Sequence, residues 1–281
     1  MPSNAMNMPD QLSSDVFNML VNTRHGPMLA NRNDRYVGQS IISYGEFSEG
    51  EAKMFCQLVG AGDVVVEAGS NIGAHTLLLS RLVGAGGLVY AYEPQRIVFQ
   101  TLCANLALNQ CLNVMARQQG LGSDTGQMVL PAVDPRQVNN FGGLSLLAQG
   151  PGERVDIASI DSLGLPACKL IKADVEGMEA EVLLGARQTL ARCRPLLYLE
   201  NDRAEKSAAL IGLILDLGYR LWWHVTPLYN PDNFLKNPSN QFGSTVSINL
   251  LCQPAEAARP VDAMREIKSP ADTWNAAPAL S

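Results

Sequence analysis

Two acids, each closing a short apolar run, carry the first chemical signal in this chain. Val64-Val65-Val66 runs into Glu67, and Leu88–Tyr92 runs into Glu93 and Pro94. After Glu67 come Gly69 and Gly73, four residues apart, with Ser70 and Asn71 between them. His75 opens the apolar stretch that follows. A β-branched run, a glycine turn and a renewed apolar run predict a buried strand, a tight turn and a helix start. Such a turn brings backbone N–H groups close to a ligand at the positive end of a helix. An acid at the strand end disfavours a pyrophosphate and favours a ligand with hydroxyl or ammonium groups. An acid at the end of the second strand takes ribose hydroxyls in nucleotide-binding sheets, and the proline after it ends the strand. The set Glu67, Gly69, Ser70, Asn71, Gly73, His75, Glu93 and Pro94 therefore predicts an adenosyl cofactor of the S-adenosylmethionine kind. The spacing is not G-x-G-x-x-G, which disfavours a nicotinamide-dependent oxidoreductase.

A second cluster lies further along. Lys169–Val175 reads as another strand, with Asp174 at its end, Glu176 two residues on, and Lys172 two residues back on the same strand face. Pro195–Glu200 is the next strand, ending in Glu200-Asn201. Ligands on open α/β sheets bind at the carboxyl ends of the strands. That rule brings Glu67–His75, Glu93–Pro94, Ser123–Asp124, Asp174–Glu176 and Glu200–Asn201 to one edge. Ser123, Asp124 and Asp174 thus join the cofactor set. Group transfer from such a cofactor needs in-line placement of a nucleophile and a group to take its proton. Asp174, Glu176, Lys172 and His224, the last near the end of a strand at Tyr219–Val225, are the catalytic candidates.

The elements that must position these groups alternate along the chain. Residues 1–12 are expected to be disordered, and residues 13–60 to form a cap with helices at Ser13–Val21 and Ser48–Val59. Strands and helices then alternate from 61 to 253, which indicates a mostly parallel sheet covered on both faces. The pattern breaks between Gly126 and Ser159, where Val138–Gly143 is polar and glycine-rich. One helix is expected from about Gly177 to Leu190. Residues 226–244 form a long Pro- and Asn-rich loop, and loops of this length are usually functional or disordered. It is expected to be a substrate lid carrying Tyr229, Asn230, Asn233 and Phe234, with Tyr44 and Glu46 opposite. Residues 254–281 are expected to be a loose tail.

Several segments together resemble the FkbM family of S-adenosylmethionine-dependent methyltransferases. They are Gly62–Thr76, Tyr90–Pro94, Ile160–Leu163, Ile171–Glu179, Val182–Ala186 with Arg194-Pro195, and Trp222–Phe234. The Asp174-Val-Glu-Gly block is the most specific mark, and the likeness spans about residues 24–253. The resemblance implies an α/β, Rossmann-like class I methyltransferase fold: a mostly parallel seven-stranded sheet, its last strand antiparallel, with helices on both faces. It also implies O-methylation of a hydroxyl on a small molecule or glycan. Many relatives have Asp where this chain has Glu67; the extra methylene should shift the contact at the methionine end. Asp174, Glu200 and Asn201 resemble the divalent-cation site of catechol-type O-methyltransferases, and Mg²⁺ prefers such oxygen donors. The alternative, that Glu200 and Asn201 bind substrate or cap the next helix, stays open. So does a cofactor-binding scaffold without catalysis.

Composition bounds these readings. The 281 residues, 47% hydrophobic, suffice for one large domain or two small ones. A net charge of −6 without a basic run disfavours nucleic acid as the main partner. No eighteen-residue apolar segment predicts a membrane span, and no signal-peptide pattern appears. Six cysteines without a C-x-x-C pair read as buried, reduced thiols in a cytoplasmic protein. Oligomeric state is not legible.

Overall fold

A computed structural model of the chain describes residues 16–144, 151–259 and 261–275. The expected disorder of residues 1–12 lies outside them. The first described element is a hairpin, β1 (Asn18–Thr23) and β2 (Gly26–Asn31), not a helix over Ser13–Val21. Gly26 adopts φ +107°, and the Thr23 hydroxyl donates to its carbonyl at 2.5 Å, so the Arg24-His25 turn closes antiparallel pairing. Met28 and Ala30 then pack on the helices behind. The cap continues with α1 (Val37–Tyr44) and α2 (Glu49–Leu58).

The alternating region follows as β3 (Val64–Ala68), α3 (Ala74–Val83), β4 (Leu88–Tyr92), α4 (Arg96–Leu108) and β5 (Val114–Arg117). A small second sheet comes next: β6 (Gly120–Leu121), β7 (Gly126–Pro131) and β8 (Gly152–Ala158), in the order β6-β8-β7. It occupies the stretch where the sequence pattern breaks. The main sheet resumes with β9 (Leu170–Ala173), α5 (Glu179–Leu184), α6 (Arg187–Cys193), β10 (Leu196–Glu200), α7 (Ala204–Asp216), β11 (Tyr219–Pro227) and β12 (Val246–Pro254). Its order is β13-β11-β12-β10-β9-β3-β4-β5, with β13 at Arg265–Ile267. β5, β4, β3, β9 and β10 pair in parallel, and β12 runs antiparallel between β10 and β11. This is the Rossmann-like, mostly parallel sheet that the resemblance implies, with one strand more than the seven expected.

The extra strand corrects the loose-tail expectation in part. β13 pairs antiparallel with β11, Ile267 is buried, and Trp223 Nε1 donates to Asp272 at 3.1 Å. The helix expected after Gly177 is two. Gly185 passes so close to Gly122 that a Cβ would stand 2.0 Å from its carbonyl oxygen. Asp161 then caps the second piece, accepting from the amides of Gln188 and Thr189 at 2.8 Å.

Alternate strand residues feed two helical layers. Val65, Leu170, Tyr198 and Leu251 pack on α2 and α3. Val66, Ile171, Leu197 and Leu250 pack on α5, α6 and α7. Burial on both faces explains why the parallel strands read as continuous apolar runs. No described helix is long and apolar enough to cross a membrane. All six cysteines are free; Cys168 and Cys252 are buried as expected, but Cys56 and Cys103 are exposed.

Candidate functional site

β3 lies between β9 and β4 and splits the order of connection, so the crevice above its end is where this sheet can take a ligand. The turn there is made by close approach. Gly69 has φ +78°, and a Cβ on it would stand 1.8 Å from the carbonyl oxygen of Asp174. The amides of Gly69 and Ser70 both donate to the Tyr92 carbonyl at 3.0 Å. Gly73, at φ +91°, ends the turn and starts α3. Glu93 closes the far side: its Oε2 accepts the Asn71 amide at 2.9 Å and its Oε1 the Gln95 amide at 2.8 Å. Burial pushes the Glu93 carboxyl up to about 7, against those two amides.

Beneath the turn sits a buried charge cluster. Lys172, 3% exposed, stands 3.7 Å from Glu67 and 3.7 Å from Asp174 and donates to the Gly69 carbonyl at 3.2 Å. Burial alone would lower its pKa; Asp174 and Glu67 outweigh that and raise it, so the ammonium keeps its proton. Glu67 also accepts from the Thr76 hydroxyl at 2.6 Å. Desolvation raises its carboxyl despite Lys172. His75 is packed edge-on against Phe55 with Nε2 buried and unpaired. Burial lowers its pKa to about 3, so it is neutral.

The Asp174-Val-Glu-Gly loop is pinned from below. Glu179 accepts the amides of Val175 and Gly177, and Lys206 donates to the Gly177 carbonyl at 2.6 Å. Glu176 takes φ +55° and meets Arg203. Burial, then Asp174, raises its carboxyl to about 7. One oxygen each from Asp174, Glu176 and Glu200 lies within 4.8 Å of the others. Glu200 Oε2 is buried without a partner, and desolvation raises that carboxyl well above its ordinary value.

These groups converge on one cavity of about 380 Å³. Glu67, Gly69, Ser70, Asn71, His75, Glu93, Lys172, Asp174, Glu176 and Glu200 all line it. Other expected residues do not. Ser123 and Asp124 are exposed and bond to each other, because Gly120–Leu121 joins the small sheet and carries that loop away. Gly73 shapes the turn from behind, and Pro94 lies in a separate shallow pocket. Asn201 does not line the cavity, and its side-chain amide donates to Ser207 at 2.9 Å. His224 Nδ1 bonds the Tyr198 hydroxyl at 2.7 Å, under α2 and off the cavity wall. Burial lowers its pKa.

The 228–245 loop is fastened to the N-terminal cap by hydrogen bonds. Glu46 accepts from Arg24 at 2.6 and 2.8 Å, from the Asn230 side chain at 2.7 Å and from the Phe234 amide at 2.8 Å. Tyr44, 1% exposed, donates to the Ser239 carbonyl and accepts the Gln241 amide, and its ring packs on Tyr229. Asn233 is wholly buried, bonding Asn230 and Asn237. Tyr44, Glu46, Tyr229, Asn230, Asn233 and Phe234 therefore hold the loop down, and none lines the cavity.

What does line it, and was not anticipated, comes from either side. The 138–143 connector supplies Asn140 and Gly142. It is fastened by Gln95, whose side chain donates to the Phe141 carbonyl, and by the Asn139 amide on Asn33 at 2.9 Å. The loop ends supply Leu228 and Thr245–Ser247. Glu51 comes from α2 and accepts the hydroxyls of Ser48 and Ser247 at 2.6 Å. In the sequence, Ser48-x-x-Glu51 looks like a helix cap, which hides it. Asp202 and Arg203 complete the rim.

Against known proteins, residues 67–221 match the model of the Methyltransferase FkbM domain. Methyltransferase 1 of Beauveria bassiana is 32% identical over 143 residues, 43% of this chain and 57% of that protein. Hexuronic acid methyltransferase AglP of Haloferax volcanii is 29% identical over 133 residues, 46% of this chain and 52% of that protein. The chain thus spans little more than half the length of the curated relatives it matches. A crystal structure of an FkbM methyltransferase from Methylobacillus flagellatus aligns with 71% of this chain and 50% of its own, at TM-score 0.47 and 18% identity.

Proposed function

This chain belongs to the FkbM methyltransferase family, and we propose that it moves a methyl group from S-adenosylmethionine to a hydroxyl of a small molecule or glycan. The observation that carries the donor is Glu93. A buried carboxylate beside the glycine turn, lining the same cavity as Glu67 and Asp174, suits a ribose whose hydroxyls replace lost water. Asn71 and Ser70 line the same side. Glu67, with Lys172 and Thr76 behind it, suits the ammonium end. Bound there, the donor would supply an electrophilic methyl group. Asp174, whose side chain is 38% exposed, is the proton acceptor in this reading, oriented by Lys172. His224, bonded to Tyr198, is no longer a candidate for that role.

A hydroxyl is favoured over a carboxylate as the reacting group because Glu51, Asp174, Glu176, Glu200 and Asp202 surround the acceptor side, against Lys172 and Arg203. A hydroxyl has a proton to donate to these carboxyls, whereas a reacting carboxylate has none. The haloarchaeal hexuronic acid enzyme supports a sugar as the acceptor.

A divalent cation is a second reading, favoured by the approach of Asp174, Glu176 and Glu200. Hard oxygen donors of this kind suit Mg²⁺. Arg203 on Glu176 and Lys172 beside Asp174 already answer part of that charge. Turnover unchanged by EDTA would exclude the cation.

Calorimetry with S-adenosylhomocysteine tests the donor, and failure of a folded sample to bind it defeats the proposal. Methyl transfer from labelled S-adenosylmethionine across a panel of polyols tests the acceptor. Binding without any turnover would favour the non-catalytic scaffold.

A further inference from the structure

Next to the cavity lies a second groove of about 450 Å³, lined by Arg32, Arg35, Tyr36, Gln39, Gln241 and Phe242 among others. Tyr36 and Thr245 line both, so the two are immediate neighbours. Their electrostatic character is opposite. The cavity is ringed by carboxylates. The groove has one acid, Asp34, which is 3% exposed and spends its carboxylate on the amides of Tyr36 and Gly38 at 3.3 and 2.8 Å.

The two arginines have no ion-pair partner among the described residues. Both are exposed. Arg32 makes one side-chain bond, from Nη1 to the Val16 carbonyl at 3.3 Å. Arg35 is held through its backbone, its amide donating to Asn139 at 2.9 Å, which leaves the guanidinium available. Such forks recognise oxyanions in a two-point geometry.

Two aromatic rings line the same groove. Tyr36 and Phe242 stack with centroids 6.2 Å apart and 21° between planes, and Phe242 packs on the buried Tyr44 at 5.7 Å. Gln39 and Gln241 line that groove too. Flat rings flanked by amides present the apolar and hydrogen-bonding surface that a sugar ring offers in return.

We infer that this groove holds the non-reacting part of the methyl acceptor, a sugar segment bearing an oxyanion, while the hydroxyl to be methylated lies in the acidic cavity. The inference rests on the methyltransferase reading of that cavity. The two linings set the direction of binding: the anionic end pairs with Arg32 and Arg35, whereas in the cavity Arg203 and Lys172 are already engaged by Glu176, Glu67 and Asp174. One acceptor hydroxyl is thereby selected by its distance from the anion. A carboxylate and a phosphate share this chemistry.

The test uses the full chain saturated with S-adenosylhomocysteine and titrated with three probes: trigalacturonate, glucose 1-phosphate and neutral maltotriose. At least one anionic probe is expected to bind about tenfold more tightly than maltotriose, from the extra charge-assisted bonds. Which one does so identifies carboxylate or phosphate. The Arg32→Glu/Arg35→Glu variant should lose that preference and keep its affinity for S-adenosylhomocysteine, since neither residue lines the cofactor side. Equal binding of all three probes, or a preference that survives the double variant, overturns the inference. Failure of the wild-type protein to bind S-adenosylhomocysteine is a separate result and strikes the donor assignment instead.

Discussion

The carboxylate of Glu93, at the end of β4, accepts the backbone amide of Asn71, in the turn after β3, at 2.9 Å. One bond therefore ties the two sequence signals that predict an adenosyl ligand into one wall. It also makes the wall sensitive to pH, because burial has raised that carboxyl to about 7.

Affinity for S-adenosylhomocysteine should rise with pH across this value. Ribose hydroxyls donate to the carboxylate and so favour its ionised form, which is depleted below about 7. Calorimetry from about pH 6 to about pH 8, roughly one step either side of that value, should show tightening in the wild type and a flat profile in Glu93→Gln. Replacement by alanine should weaken binding by about 1–3 kcal/mol through lost buried hydrogen bonds. An unchanged affinity would remove the ribose role.

Stability without ligand should move the other way. Glu93 and Glu179, at about 7 and about 6, hold protons more tightly folded than at their ordinary value of 4.5. The folded chain binds more protons than the unfolded one between 4.5 and about 7, so this stabilisation is complete below 4.5 and is lost as pH rises through about 7. Urea midpoints across that window should fall with rising pH, and less so in Glu93→Gln.

Lys172→Met should destabilise the protein strongly. The ammonium stands between Glu67 and Asp174 with almost no exposure, and its removal leaves Glu67 buried and uncompensated. Breaking a buried pair in this way costs about 3–5 kcal/mol. Adding Glu67→Gln should recover part of the loss. A single variant within about 1 kcal/mol of wild type would show that the cluster is not a charge-balanced unit.

Gly69→Ala should fail at the turn itself. A methyl group there meets the Asp174 carbonyl at 1.8 Å, on a backbone at φ +78°. Strain and overpacking together cost about 2–4 kcal/mol, read as a lowered denaturation midpoint and lost cofactor binding. A variant that folds and binds as the wild type does would mean the β3 and β9 loops are not in contact.

Glu46→Ala tests the fastening of the 228–245 loop. It removes the shared acceptor of Arg24, Asn230 and the Phe234 amide at once, leaving Arg24 its bond to the Asp232 carbonyl. A loss of about 1–3 kcal/mol follows from the unpaired Asn230 and Phe234 donors. Hydrogen exchange across 228–245 should speed up while affinity for S-adenosylhomocysteine holds. Unchanged exchange would return the loop to the role of a mobile lid.

Local pattern was enough for the strands from β3 to β5 and from β9 to β12, for the Gly69–Gly73 turn, and for Glu67, Glu93 and Asp174 as cavity acids. Buried parallel strands announce themselves by continuous apolar runs, and the residue at a strand's end needs no long-range information to be placed at the sheet edge. Where contacts between distant segments decide, the same reasoning went astray. Asn18–Thr23 became a strand because Gly26 permits the hairpin. The helix after Gly177 broke where Gly185 meets Gly122. Arg265–Ile267 found an edge on β11. His224 reached Tyr198 before it could reach the cavity, and Glu46 and Tyr44 turned out to anchor a wall. The chain thus declares from its own order which chemistry it carries, since strand-end acids and a glycine turn are local features. Which side chains face one another across the cavity, and that an arginine groove opens beside it, follow only from packing between elements far apart in sequence.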